Sequence, residues 1–124
     1  MEAQDAVKVL IADDEAGNRD LLGAVFCAPR WQPFFACDGE EAIELCRTLK
    51  PAILFLDIVM PKRNGWEVCE AIKSDRATQH IKIIMISALM QDSHKRRAFQ
   101  FGADAYVTKP ISVGLLRNTV QAVL

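Results

Sequence analysis

The chain has 124 residues, of which 51% are hydrophobic and 25% charged, and its 15 basic and 16 acidic side chains leave a formal net charge of −1. That is the size of one domain able to bury a sizeable core, so residues 1–124 are expected to form a single unit. The charge balance supplies no field that would draw the chain to nucleic acid or anionic lipid. No apolar run approaches the roughly 20 residues of a membrane span, and the acidic start MEAQDAVKVLIADDE lacks a secretory pattern.

Val7–Ala12 is a short apolar run that ends in Asp13-Asp14-Glu15. Leu21, Leu22, Val25 and Phe26 then recur at helical spacing, and Pro29 is expected to stop that helix. Trp31–Cys37 reads as a second strand. Asp38-Gly-Glu-Glu41 has the spacing of a capping box opening a helix with Ala42, Leu45, Cys46 and Leu49 on one face, and Pro51 ends it. Ile53–Leu56 is the third strand and runs directly into Asp57. Asn64-Gly-Trp-Glu67 is a second capping box, with Trp66, Cys69 and Ile72 as the inner stripe of the helix it opens. Ile81–Ile86 is the fourth strand and leads to Ser87-Ala88. A polar helix over Asp92–Phe101 closes at Gly102, a residue suited to a helix C-terminus. Ala105–Val107 is a short fifth strand. After Lys109-Pro110, Ser112 can cap a last helix carrying Leu115, Leu116, Val120 and Leu124.

The four cysteines, Cys27, Cys37, Cys46 and Cys69, form no C-x-x-C pair and have no histidine at ligand spacing. They read as small buried apolar residues in a reducing compartment rather than as a zinc site, so a cytoplasmic location is expected. His80 and His94 lie in polar surroundings and read as surface residues.

Strand and helix signals alternate five times, the pattern of βαβ units and of a parallel sheet covered on both faces. The strands are continuous apolar runs, which agrees with burial on both sides. The expected fold is therefore α/β: a doubly wound five-stranded parallel sheet of order 2-1-3-4-5, flavodoxin-like, with helices on both faces. In such a sheet ligands bind outside the carboxyl ends of the strands, at the switch point between strands 1 and 3. Strand 1 ends in Asp13 and Asp14, strand 3 in Asp57 and strand 4 in Ser87, while strand 5 leads to Lys109. Taken singly, each is an ordinary cap, turn or surface residue. Together they deliver three carboxylates, a hydroxyl and an ammonium to one edge. Three carboxylates in one pocket repel unless one takes a proton or a cation sits among them. Ligands that are all oxygen suit Mg²⁺ before Ca²⁺, and the D-x-D-x-D-G spacing of a ready-made Ca²⁺ loop is absent.

Asp13-Asp14, Asp57 within D-I-V-M-P-x-x-N-G, Ser87-Ala88 and G-A-D-A-Y-V-T-K-P from Gly102 to Pro110 resemble the receiver domain of bacterial response regulators, in order and at normal spacing from Val7 to Leu124. The resemblance implies that Asp57 accepts a phosphoryl group from a histidine kinase or a phosphotransfer protein. It implies that Asp14 ligates Mg²⁺ directly, that Asp13 acts largely through water, and that the main-chain carbonyl of Val59 completes the protein's ligands. Ser87 and Lys109 would bond phosphoryl oxygens. Tyr106 would be the aromatic that moves inward with Ser87, and Lys109-Pro110 would be a cis peptide. The downstream partner is then a protein docking on helix 4, strand 5 and helix 5, with no direct nucleic-acid or membrane contact and at most a weak homodimer.

Several positions depart from the family pattern. Val59 and Leu89, two residues after Asp57 and Ser87, are apolar where members often carry polar residues that orient the hydrolytic water, which implies a long-lived phospho-Asp57. Ala105 and Leu115 argue against the dimer mode of the DNA-binding branch. His94-Lys95-Arg96-Arg97 reads as a solvated basic helix face with a partner-docking role as the alternative. Other classes fit less well. An aspartyl-phosphate-type phosphohydrolase usually has a second acid at the position of Val59. A flavin or nucleotide site wants a Gly- or Ser/Thr-rich loop after strand 1, where Asp13-Asp14-Glu15 stands. A receiver-like domain working without phosphorylation would not need every polar residue named above. The chain is expected to catalyse only its own phosphorylation and dephosphorylation. It reads either as a stand-alone receiver acting through protein contact or as one domain of a longer protein.

Overall fold

The computed structural model describes residues 6–124. Along the chain these form β1 (Val7–Ala12), α1 (Ala16–Val25), β2 (Trp31–Ala36), α2 (Gly39–Leu49), β3 (Ile53–Leu56), α3 (Gly65–Ser74), β4 (Lys82–Ser87), α4 (Asp92–Gln100), β5 (Ala105–Thr108) and α5 (Val113–Val123). All strand pairs are parallel and the order is β2-β1-β3-β4-β5, as expected of a flavodoxin-like doubly wound sheet. No helix among the described residues is long and apolar enough to cross a membrane.

The two-residue period of the strands sorts their side chains between two cores. Leu10, Leu54, Leu56, Ile83 and Met85 point to one face, where α2, α3 and α4 bury Ala42, Cys46, Val68, Ile72 and Ala98 against them. Val9, Ile11, Ile53, Phe55, Ile84 and Ile86 point to the other, under Leu22 and Phe26 of α1 and Leu116 and Val120 of α5. Both faces are covered, so the strands need no polar alternation. Each fully buried Ile or Leu contributes about 1.5–3 kcal/mol of transfer free energy.

The caps differ in completeness. Asn64 and Glu67 form a full capping box at α3, each side chain bonding the other's backbone N–H. At α2 only half the box forms: Asp38 accepts from the Glu41 N–H, while the Glu41 carboxylate turns to the N–H of Cys37. Ser112 accepts from the Leu115 N–H and caps α5. Gly102 follows α4 with a φ of 104°, in the left-handed region that glycine tolerates.

The structure corrects four expectations. α1 ends at Val25, ahead of Pro29, and Leu21 faces solvent. Trp66 is only half-buried, and Val68 takes its place in the inner stripe of α3. Cys46 and Cys69 are buried, and burial pushes both thiols up to about 12, but Cys27 and Cys37 are exposed because they fall in the turns after α1 and β2. His94 is half-buried beside the Trp66 ring, 6.0 Å between centroids, with Arg97 stacked 4.5 Å from the same ring. That contact arises because α3 and α4 pack side by side, which residue polarity alone does not reveal.

Candidate functional site

The register of the sheet aligns the strand ends. Ala12 lies level with Leu56, and Ser87 with Thr108, so the residues that follow β1, β3 and β5 emerge beside Ser87 at one edge. The Asp57 N–H donates to Ala12 O at 3.0 Å, and the Lys109 N–H donates to Ser87 O at 2.8 Å. These bonds extend the ladder past the strands and fix the backbone beneath each functional side chain.

Asp13, Asp14 and Asp57 each place a carboxylate oxygen within 4.8 Å of the other two. Asp13 and Asp57 are only 3% and 5% exposed, whereas Asp14 faces solvent. Asp14 does not cap α1, whose N-cap is Glu15 without a side-chain bond. Its carboxylate is therefore free to face the crevice. The Lys109 ammonium reaches back from the end of β5 and donates to Asp13 Oδ2 at 3.1 Å and Asp57 Oδ2 at 3.0 Å. Asp57 Oδ1 accepts from the Val59 N–H at 3.4 Å. The Lys109-Pro110 peptide is cis. With Val59, Ser87, Ala88 and Leu89, these groups line a crevice of about 190 Å³ that includes Asp14, Asp57 and Lys109.

Burial raises the Asp57 carboxyl above the usual carboxylate range, and the nearby Asp13 charge adds to that, against the opposing pull of Lys109. Burial also works against the charged form of Lys109, but its bonds and attraction to Asp57 and Asp13 outweigh this, so its pKa is raised. Lys109 thus stays a cation among acids. The set is oxygen-only, with two acids buried and one at the mouth, which fits a hard divalent cation better than a soft one.

Ser87 is fully buried, and its Oγ accepts from the Leu89 N–H at 3.2 Å. The Tyr106 hydroxyl donates to Leu89 O at 2.6 Å. Ser87 and Tyr106 therefore hold the same short segment between β4 and α4. The structure thus brings Asp13, Asp14, Asp57, Val59, Ser87 and Lys109 to one crevice and sets Tyr106 behind it. Two residues escaped the sequence reading. Glu15 lines the crevice, and Arg19 donates to Asp13 O at 2.7 Å, fixing the acidic turn from one helical turn away. The order of residues carries no signal for the Arg19 contact, which spans six positions and depends on how the chain turns into α1.

Comparison with known proteins agrees with this geometry. The family described as the response regulator receiver domain matches residues 9–121. A probable transcriptional regulator, ycf27, of Guillardia theta is 39% identical over 117 residues, which covers 94% of this chain and 45% of that protein. The chain thus spans about half the length of the curated relatives it matches. The response regulator domain of Thermotoga maritima CheB superposes with a TM-score of 0.81 at 30% identity, covering 95% of this chain and 96% of that one. A chain of the CheX-CheY-BeF3-Mg²⁺ complex from Borrelia burgdorferi superposes with a TM-score of 0.88 at 26% identity, covering 99% and 98%. Sequence, fold and the placement of the acidic edge converge, and this chain belongs to the response regulator receiver domain family of two-component signalling.

Proposed function

We propose that the chain is a phosphoacceptor switch: Asp57 takes a phosphoryl group from the phosphohistidine of a histidine kinase or phosphotransfer protein, in a reaction that needs Mg²⁺. The observation that carries this reading is the Asp57 carboxylate itself, 5% exposed yet lining an open crevice, with a lysine ammonium at 3.0 Å. A carboxylate oxygen attacks phosphorus, the P–N bond to the donor imidazole breaks, and the bonding pair leaves with that nitrogen. Phosphoryl transfer demands in-line placement and charge neutralisation more than covalent help. The strand-end bonds hold Asp57 in place, and Lys109 remains charged to meet the phosphoryl oxygens. Asp14, Asp57, Asp13 and the main-chain carbonyl of Val59 are the groups that would hold Mg²⁺, which when bound supplies positive charge against those oxygens. The presence of BeF3 and Mg²⁺ in the Borrelia burgdorferi complex supports the same reading here.

Phosphorylation adds acceptor oxygens beside Ser87. Ser87 Oγ now accepts from the Leu89 N–H, and its O–H can still donate to a phosphoryl oxygen; swinging the hydroxyl toward that oxygen would move Oγ and with it the segment that Tyr106 also holds. The output surface is then α4, β5 and α5, read by a partner protein in the cytoplasm, and the chain catalyses only its own modification. Residues 1–124 act as one receiver unit.

Incubation with acetyl phosphate and Mg²⁺ should add one phosphoryl mass to the intact chain. Asp57→Asn and EDTA should each abolish the gain, and a test phosphate ester should not be turned over. Phosphorylation that persists in Asp57→Asn would overturn the reading.

A further inference from the structure

A second concave site lies at the opposite edge of the sheet, where β2 begins. From Ala36, level with the end of β1, the six-residue strand runs back roughly 17 Å to Trp31. There α1, the turn before β2 and α5 enclose a cavity of about 160 Å³. Arg30 and Arg117 stand on its rim, with Asn118 and Gln121 beside them, and Phe26 and Trp31 contribute its apolar wall. Among the described residues no carboxylate lines it, although the chain carries 16 acids.

The wall is held in place. The Val7 N–H donates to Arg30 O at 2.9 Å, and the Trp31 N–H donates to Cys27 O at 3.1 Å. The Arg30 guanidinium lies 4.9 Å from the Trp31 ring centre. Trp31 meets Phe26 edge to face at 5.4 Å, and Phe26 rests on Phe55 of β3 at 4.7 Å. This aromatic column reaches from the rim into the core, so the stacking surface is fixed before any ligand arrives. Neither arginine has a carboxylate partner among the described residues.

We infer that this cavity binds a nucleobase-bearing phosphate monoester, with the planar ring on the outer face of the Arg30 guanidinium, which itself lies over Trp31, and the phosphate at Arg117. The chemistry is specific on both counts. Guanidinium and indole planes stack on flat rings, and a guanidinium pairs with phosphate in a fork geometry while neighbouring amides complete its hydrogen bonds. The site is remote from Asp57, so the inference does not depend on phosphorylation.

Titration with adenosine 5′-monophosphate, in EDTA to silence the acidic crevice, tests it. The Trp31 indole N–H resonance should move saturably while that of Trp66 stays still. Arg117→Gln, exposed and without an ion-pair partner among the described residues, should leave the melting temperature unchanged and weaken binding about tenfold, which is about 1.4 kcal/mol, and Arg30→Gln, which also removes the stack on Trp31, should weaken it at least as much. Adenosine alone and inorganic phosphate alone should each bind at least tenfold more weakly. An immobile Trp31 signal, or an affinity unchanged by Arg117→Gln, would overturn the site. Equal binding of phosphate or of adenosine would overturn the ligand class.

Discussion

Asp57 is costly to ionise where it stands. Its carboxyl is raised by burial, so between the ordinary value of 3.8 and its folded value the native state holds a proton that the unfolded chain has released. Stability therefore falls as pH rises through that window and levels off above it. In EDTA, Asp57→Asn should melt higher than the parent at neutral pH, and the gap should close as the pH drops to the ordinary carboxylate range. Thermal melts across that interval check this, and a variant that melts lower at neutral pH contradicts it. Lys109 has the opposite reach in pH: its stabilisation is complete below 10.5 and lost only as pH climbs through its raised value. Val59 and Leu89 matter at the same scale. Val59 is 62% exposed and both line the crevice, yet neither side chain can hydrogen-bond a water attacking the acyl phosphate. The doubly substituted Val59→Asn, Leu89→Glu protein should lose phosphate about tenfold faster, roughly 1.4 kcal/mol of barrier. Decay after removal of the donor measures it, and an unchanged half-life would refute it.

At the scale of elements, the loop after β3 decides how firmly Asp57 is aimed. The Gly65 N–H donates to Ile58 O at 2.7 Å, and a Cβ on Gly65 would sit 2.5 Å from the Asp57 carbonyl oxygen and 2.7 Å from the Ile58 Cα. Both obstacles are backbone and cannot step aside. A Cβ on Gly39 would meet the Arg63 carbonyl oxygen, and ion pairs from Lys62 to Asp38 and Arg63 to Glu40 join the same loop to the start of α2. Those pairs are largely exposed and contribute little; the close packing sets the path of the loop. Gly65→Ala should cost about 1–3 kcal/mol and slow phosphorylation of Asp57. Asn64→Ala, which removes only the α3 cap, should cost about 1 kcal/mol and leave the phosphorylation rate nearly unchanged. Denaturation together with phosphorylation kinetics separates the two. Equal loss of rate in both would show that helix stability, not the path of the loop, controls the site.

For the molecule as a whole, the relevant question is how a change at Asp57 reaches a surface. Ser87 and Tyr106 hold the Leu89 segment through its N–H and its carbonyl. α4, directly after it, is the most polar helix and buries only Ala98. It rests on α3 through Trp66, His94 and Arg97. An element with so little buried apolar surface has low local stability and is the one a small bias can shift. Phosphorylation, or beryllofluoride with Mg²⁺, should therefore change hydrogen exchange from Leu89 through the first turn of α4, while β1 and β3 stay protected. Tyr106→Phe, lacking the hydroxyl bond to Leu89 O, should exchange faster there before any phosphoryl group is added. Uniform change across all five strands would mean global loosening rather than a switch.

Much of this was legible from residue order. Continuous apolar runs separated by helical periods indicate a parallel sheet covered on both faces, and because its strands run the same way their carboxyl ends all reach a single edge. Asp13, Asp14, Asp57, Ser87 and Lys109 could thus be assigned to one crevice without coordinates. What the order of residues could not carry is the state of each group once packed. Tertiary structure alone decides that Asp13 and Asp57 are buried while Asp14 is not, that Lys109 bridges two acids, and that Cys27 and Cys37 face solvent. It alone brings Arg19 to Asp13, His94 to Trp66, and Arg30 and Arg117 to one cavity. Periodicity tells which way a side chain leaves its own strand or helix. Burial, charge and partners depend on which other elements lie against it, and that is settled only when distant segments meet.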